Sequence, residues 1–346
     1  MKYRHLTMTS DKSAAMMGRR RLGSILLIVA GMMILAVLLL RFGTATWRAI
    51  TAVDFMEFCT YLIAQLLLTA GLAYCWLLLL PRRGGHTRFW LLVWGRTLRD
   101  GAGEFLPFSY AGGLAIGARA ITLLGVQAAD AVASTLVDVT VEAAAEILFM
   151  ALGLLLLAYD EPESRFWLGV FGALVTASAV MIGFTALNRG HVATMFISRM
   201  LNRVAAPAMR RLGLRQGALD EIYTERRQIA RAAGMHFICA AAGGVVTWFG
   251  FHILGAPISL SGAISFEALI HALLALGFFV PARIGVQEAA YLLLGTIYGV
   301  PPDMAISLSL LRRARNFAIS LPVLLSWQFV EAHRLTILTA KSRPRL

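Results

Sequence analysis

The chain has 346 residues, 58% hydrophobic and only 15% charged, with a net charge of +13 and a mean hydropathy of +0.71. A soluble domain of that composition would expose too much apolar surface, so the numbers exclude a water-soluble globule and predict an all-α polytopic membrane protein. The basic excess argues against nucleic acid as a partner, because 24 of the 32 Lys and Arg fall in residues 1–21, 81–99, 188–231 and 334–346, the pattern of loops facing the cytoplasm.

In chain order, residues 1–21 read as a disordered, basic N-terminus ending in Arg19-Arg20-Arg21. The apolar run 22–40 is too long for a signal-peptide core and reads as a first membrane span. Further spans are expected at 56–80, 128–157, 166–187, 232–254 and 303–330. Two other apolar stretches, 88–125 and 262–300, are broken midway by Pro107 and Pro281. Each reads as a re-entrant helical hairpin, whose irregular backbone is tolerated at membrane depth only inside protein or beside water. Loop charge supports six spans with both termini in the cytoplasm. Segment 158–164 has Asp160, Glu161 and Glu163 with no basic residue, whereas 188–231 has nine arginines. The three cysteines, Cys59, Cys75 and Cys239, lie in apolar segments without metal spacing and read as filler.

An internal repeat at an offset of 174 organises these elements. Gly103-Glu104-Phe105-Leu106-Pro107 matches Gly277-Phe278-Phe279-Val280-Pro281, and Gly-Val recurs 18 residues after each proline, at Gly125-Val126 and Gly299-Val300. One integral membrane domain, 22–335, then contains repeat 1 (about 56–157), a linking span and basic segment (158–231) and repeat 2 (about 232–330), before a basic tail at 336–346. Three spans separate the starts of the two units. That odd number makes the repeat inverted, an architecture shared by alternating-access transporters.

Arg312, Arg313 and Arg315 stand in the otherwise mostly apolar run 303–330. Near mid-membrane each would cost roughly 2.5–3.5 kcal/mol, so partners, water or an anionic ligand must offset them. Span 128–157 carries Asp130, Ser134, Asp138, Glu142 and Glu146 at four-residue spacing, one polar stripe on a helix. At the repeat offset Asp138 falls on Arg312 and Glu142 on Asn316. Two readings follow: a structural ion-pair network holding the halves together, or a basic site for an anionic headgroup, for which Arg geometry is suited. Three arginines against two central carboxylates leave at least one positive charge available. Arg119, Glu104 and Asp100 flank the first hairpin, and Glu267, His271, Arg283, Gln287 and Glu288 the second. Helices starting after Pro107 and Pro281 would offer free N–H groups to a ligand. Gly112-Gly113 permits close approach, of a ligand or simply of another helix. His271 reads as a packed or interfacial histidine. The arginines of 188–231, beside Met195, Phe196 and Met200, suit an amphipathic anchor on anionic lipid.

Several motifs together resemble the flippase-like superfamily that includes the membrane region of lysylphosphatidylglycerol synthases, most closely its hopanoid-biosynthesis-associated branch. They are Gly112-Gly113, Gly117-Ala118-Arg119, Ala133-Ser134, Val137-Asp138 with Thr140 and Glu142, Gly285-Val286-Gln287-Glu288, and Ser309-Leu310-Leu311-Arg312-Arg313-Ala314-Arg315, with Trp327-Gln328 and Glu331. The resemblance covers roughly residues 50–335. It implies a bacterial inner-membrane protein that moves lipid between leaflets or membranes, with a hopanoid, a polyprenyl-linked lipid or an anionic phospholipid as cargo. Hopanoid-biosynthesis enzymes are the implied partners. The chain departs from the resemblance at Leu114, where relatives often carry an acidic residue, and at Ala282-Arg283-Ile284, where they often carry a glycine pair. Synthase activity is not expected, because the chain ends at Leu346 without room for an aminoacyl-transfer domain. The histidines lack the context of a lipid phosphatase, no Gly-x₄-Gly-Lys-(Ser/Thr) loop is present, and no metal or cofactor is expected. A non-transporting accessory protein of lipid biosynthesis is the alternative, and a lipid-modifying enzyme the weaker one.

Overall fold

In a computed structural model, the described residues are 51–81, 89–105, 109–123, 125–160, 218–256, 258–276, 280 and 283–341, with single positions at 40, 44, 47, 48, 171, 172 and 175. The expected spans 22–40 and 166–187, the basic segment up to 217, and both Pro107 and Pro281 lie outside the described residues, apart from those single positions.

All regular structure among the described residues is helical. It comprises α1 (Phe55–Leu79), α2 (Phe89–Phe105), α3 (Ser109–Leu123), α4 (Ala128–Asp160), α5 (Ala218–Thr224), α6 (Arg226–Ile253), α7 (Leu260–Leu276), α8 (Val286–Ile297) and α9 (Pro302–Lys341). Local chemistry sets several ends. Asp54 caps α1: its carboxylate accepts from the Met56 N–H at 2.8 Å while its own N–H donates to Glu57 at 3.3 Å. The α3–α4 and α8–α9 junctions share one design. Gly125 and Gly299 take left-handed φ values of +92° and +65°. The following valines then donate back to the Ile121 and Gly295 carbonyls, at 3.2 and 2.8 Å. A side chain at either glycine would be strained in that conformation. Pro322 sits inside α9 without ending it.

Among the described residues three helices are long and apolar enough to cross a membrane: α1, α4 and α6. They coincide with the expected spans 56–80, 128–157 and 232–254. The expected span 303–330 lies within α9, a continuous helix of 40 residues, but α9 is not among the three by composition. Each proline-broken stretch forms two shorter helices, of 17 and 15 residues (α2, α3) and of 17 and 12 residues (α7, α8). At about 1.5 Å per residue, even the longest of these reaches only about 26 Å.

The helices of each pair pack on one another, and α1 packs along α6. Contacts also cross between the two expected units: α4 packs on α7, and α9 packs on α2. The largest apolar cluster lies where α6, α7 and α8 meet α9, with Phe266 edge-on to Phe251 and Tyr291 at centroid distances of 5.1 and 5.4 Å. That cluster holds α9 in register and so fixes the depth of its arginines relative to α7 and α8.

Candidate functional site

Polar side chains buried in this helical body gather into two networks. In the first, Arg96 and Arg99 are three residues apart on α2 and reach the same face of α4. Arg99 donates to Asp138 at 2.5 Å and to Glu142 at 2.6 Å. Arg96 donates to Asp138 at 3.2 Å, to Glu142, and to Asp100 at 2.8 Å. His236 of α6 lies 3.1 Å from the other Asp138 oxygen, and the Arg99 guanidinium covers the Trp76 ring at 5.5 Å. Arg96, Arg99, Asp138 and His236 are each at most 5% exposed. Asp138 and Glu142 therefore answer arginines of α2, not the cluster on α9 that the repeat offset aligned with them. Counting Arg96 and Arg99 among loop charges is also corrected: both are buried in ion pairs.

In the second network the three α9 arginines part company, as neighbouring helical positions must. Arg312 turns to α7, where one of its nitrogens lies 2.7 and 2.8 Å from the two Glu267 oxygens, and it also donates to the Tyr291 hydroxyl at 3.0 Å. Glu267 further accepts from Thr247 at 2.7 Å. Arg313 turns to α8 and donates to Glu288 at 2.8 Å. That carboxylate also accepts from the Gly285 N–H at 2.8 Å, while Gln287 donates to the Ser309 carbonyl at 3.0 Å. Arg315 differs. It is 4% exposed, and among the described residues no carboxylate lies within 4.0 Å of it. It donates to the Tyr61 hydroxyl at 3.0 Å, lies over that ring at 4.8 Å, and donates to the Asn316 side-chain oxygen at 3.1 Å. The Asn316 amide in turn donates to both Glu104 oxygens at 2.8 Å, so the Glu104 charge reaches Arg315 only through a neutral amide. Arg312 and Arg313 thus pair with Glu267 and Glu288, not with the carboxylates of α4.

A cavity of about 140 Å³ opens between α1, α4, α6, α7 and α9. Glu142, Glu146, His236, Glu267, His271, Arg312 and Arg315 all line it, with Gln65 and apolar side chains between them. His236 Nδ1, in a residue only 2% exposed, has no hydrogen-bond partner. Such a volume takes about four or five waters, or one phosphate-sized group. His271 lines this wall and contacts two carboxylates, a more charged setting than a packed histidine. Sequence reasoning passed over Arg96, Arg99 and His236. The available signal was the i, i+3, i+4 set Arg96, Arg99 and Asp100, which complements the acidic stripe on α4.

Other expected site residues among the described ones fall away from the cavity. Arg119 is half-exposed and donates to Glu331 at 2.7 Å. Gly113 marks close helix packing: a Cβ there would stand 2.5 Å from the Arg99 carbonyl oxygen and 2.8 Å from the Gly103 nitrogen. Gly112, its neighbour, lies on the same helix, α3. Arg283 adopts a left-handed φ of +48°, a conformation that favours glycine. Among the described residues no group of three His, Cys, Asp or Glu could hold a metal ion.

Comparison with curated proteins and with solved structures returns no match. Residues 25–323, most of the chain and both polar networks, match the family described as Lysylphosphatidylglycerol synthase TM region, and the chain belongs to that family of multi-pass membrane proteins linked to lipid metabolism.

Proposed function

We propose that the protein is a non-enzymatic, flippase-like lipid transporter of the bacterial inner membrane, with Arg315 as the anion-binding group for a lipid headgroup. The carrying observation is that Arg315 alone of its cluster is buried on a cavity wall without a carboxylate beside it. A guanidinium in that position is favourable only if a phenol, an amide and something inside the cavity together replace its lost hydration. A phosphate oxygen fits the fork of its N–H groups. Hopanoid, polyprenyl-linked lipid and phospholipid remain the cargo classes, and the charge of the loops favours both termini in the cytoplasm.

Alternating access requires two oppositely oriented halves, and three observations support the repeat on which that reading rests. The Gly125 and Gly299 caps are alike at the 174-residue offset. The exchanged contacts α4–α7 and α9–α2 are each other's counterparts under that offset. Trp94 of α2 donates to Ser326 of α9 at 2.9 Å, and their counterparts, Ala268 and Leu152, fall beside the close approach of Ala268 to Gly153.

The test is leaflet redistribution of fluorescent phosphatidylglycerol in liposomes containing the purified protein. Arg315→Gln should lower the rate at least tenfold, whereas Arg119→Gln should leave it within twofold. Equal rates in Arg315→Gln and the unaltered protein would remove Arg315 from the site. No redistribution by the unaltered protein would favour the accessory lipid-biosynthesis role instead.

A further inference from the structure

The cavity wall carries a feature that anion binding by Arg315 does not use. His271 of α7 stands between two carboxylates, with Nδ1 3.4 Å from Glu146 and Nε2 3.2 Å from Glu267. A neutral imidazole has one N–H and one lone pair, so one of these contacts would set a lone pair against a carboxylate. The geometry is satisfied when the three groups together hold one more proton. That proton makes an imidazolium donating to both glutamates, or a neutral ring beside one protonated glutamate. Glu146 is the open end of this chain, its side chain 38% exposed at the cavity. Glu267 is the buried end, 5% exposed and tied to Arg312 and Thr247.

We infer that Glu146, His271 and Glu267 form a proton site coupled to the cavity, so that a phosphodiester headgroup binds at Arg315 when the proton is present and is released when it is lost. This rests on Arg315 being the anion site. The groups facing His271 set the sign. From α4 come Glu146 and also Glu142, which Arg96 and Arg99 already neutralise. From α6 come His236, held on Asp138, and the Cys239 thiol. From α9 come Arg312 and Arg315, while α8 contributes the Tyr291 hydroxyl on Arg312 and α1 only the uncharged Gln65 and Tyr61. With the proton bound, Glu146, His271, Glu267, Arg312 and Arg315 carry a net charge of one positive unit; without it they are neutral. At a few ångströms in a poorly solvated cavity, that unit decides whether an anion is attracted. The proton enters from water through the cavity at Glu146, resides on the ring nitrogens or a glutamate oxygen, and leaves by the same route.

The probe is dihexanoylphosphatidylglycerol, whose phosphodiester does not titrate between pH 5 and 9, binding to the full chain in nanodiscs. Its affinity for the unaltered protein should fall about tenfold per pH unit once the site loses its proton, the slope of a single coupled proton. His271→Gln should bind weakly, and His271→Arg tightly, both without pH dependence. Should His271→Gln fail to fold, the flat, tight profile of His271→Arg carries the same test. A pH-independent affinity in the unaltered protein, or a slope surviving either substitution, would overturn the coupling and leave the Arg315 site standing. Absence of probe binding at every pH, or binding unaffected by Arg315→Gln, would overturn the anion site and the coupling with it.

Discussion

Asp138 holds two arginines and a histidine with its two oxygens, at no measurable exposure. Removing its charge leaves Arg96 and Arg99 with only Glu142 and Asp100, and an uncompensated buried charge costs about 3–5 kcal/mol. Asp138→Asn should therefore lower the unfolding midpoint of the detergent-purified protein sharply. The double variant Asp138→Asn with Arg99→Gln should lie closer to the unaltered protein than the single change does. Additive losses in that cycle would show that the ion pair is not the source of the effect. The exposed Arg119–Glu331 bridge offers the contrast, because such pairs contribute about 1 kcal/mol or less. At this scale the sequence announced its charges but not their pairings. The four-residue stripe from Asp130 to Glu146 is visible in any helical reading. Which arginines answer it depends on how α2 crosses α4, about forty positions away, and no local periodicity records that crossing.

Among the elements, the short helices were the most legible. A proline within an apolar stretch disfavours a continuous helix by removing an N–H and clashing with the turn before it, although α9 absorbs Pro322 without ending. Both such stretches divide near the expected point, at Phe105–Ser109 and between Leu276 and Val286. The α2–α3 pair also depends on the absence of a side chain at Gly113, where a methyl group would press on the α2 backbone. Gly113→Ala should cost about 1–3 kcal/mol through overpacking, read as a lower unfolding midpoint with the helical circular-dichroism signal retained. A midpoint equal to that of the unaltered protein would mean that the two helices can separate there freely. Less legible was α9. Its arginines looked like the obstacle to membrane insertion, yet Glu267 and Glu288 from the other elements of the second unit neutralise two of them. A hydropathy window sees the charge and not the carboxylate that will stand beside it.

For the whole molecule, the proposed inverted arrangement makes a prediction about sidedness. Single cysteines replacing Pro107 and Pro281 should react with an impermeant maleimide from opposite faces of the membrane, in sealed vesicles of known orientation. Labelling of both from one face would refute the opposed halves. What the sequence made readable at the 174-residue offset is conformational: the Gly-Val pairs recur where a left-handed turn ends a helix. The exchanged contacts between units were not readable, since they arise from packing between segments far apart in the chain.

Pro322 draws these scales together. Its ring denies a hydrogen bond to the Ala318 carbonyl, so α9 loses one internal tie just beyond the turn that carries Arg315 and Asn316. Past that weak joint, the arm from Val323 onward is tethered by the Trp94–Ser326 and Arg119–Glu331 contacts, both at the surface. A helix so constructed can flex about a fixed inner segment with little loss of packing. Pro322→Ala should accordingly slow amide hydrogen exchange across residues 323–333, and exchange no slower than before would rule out that hinge.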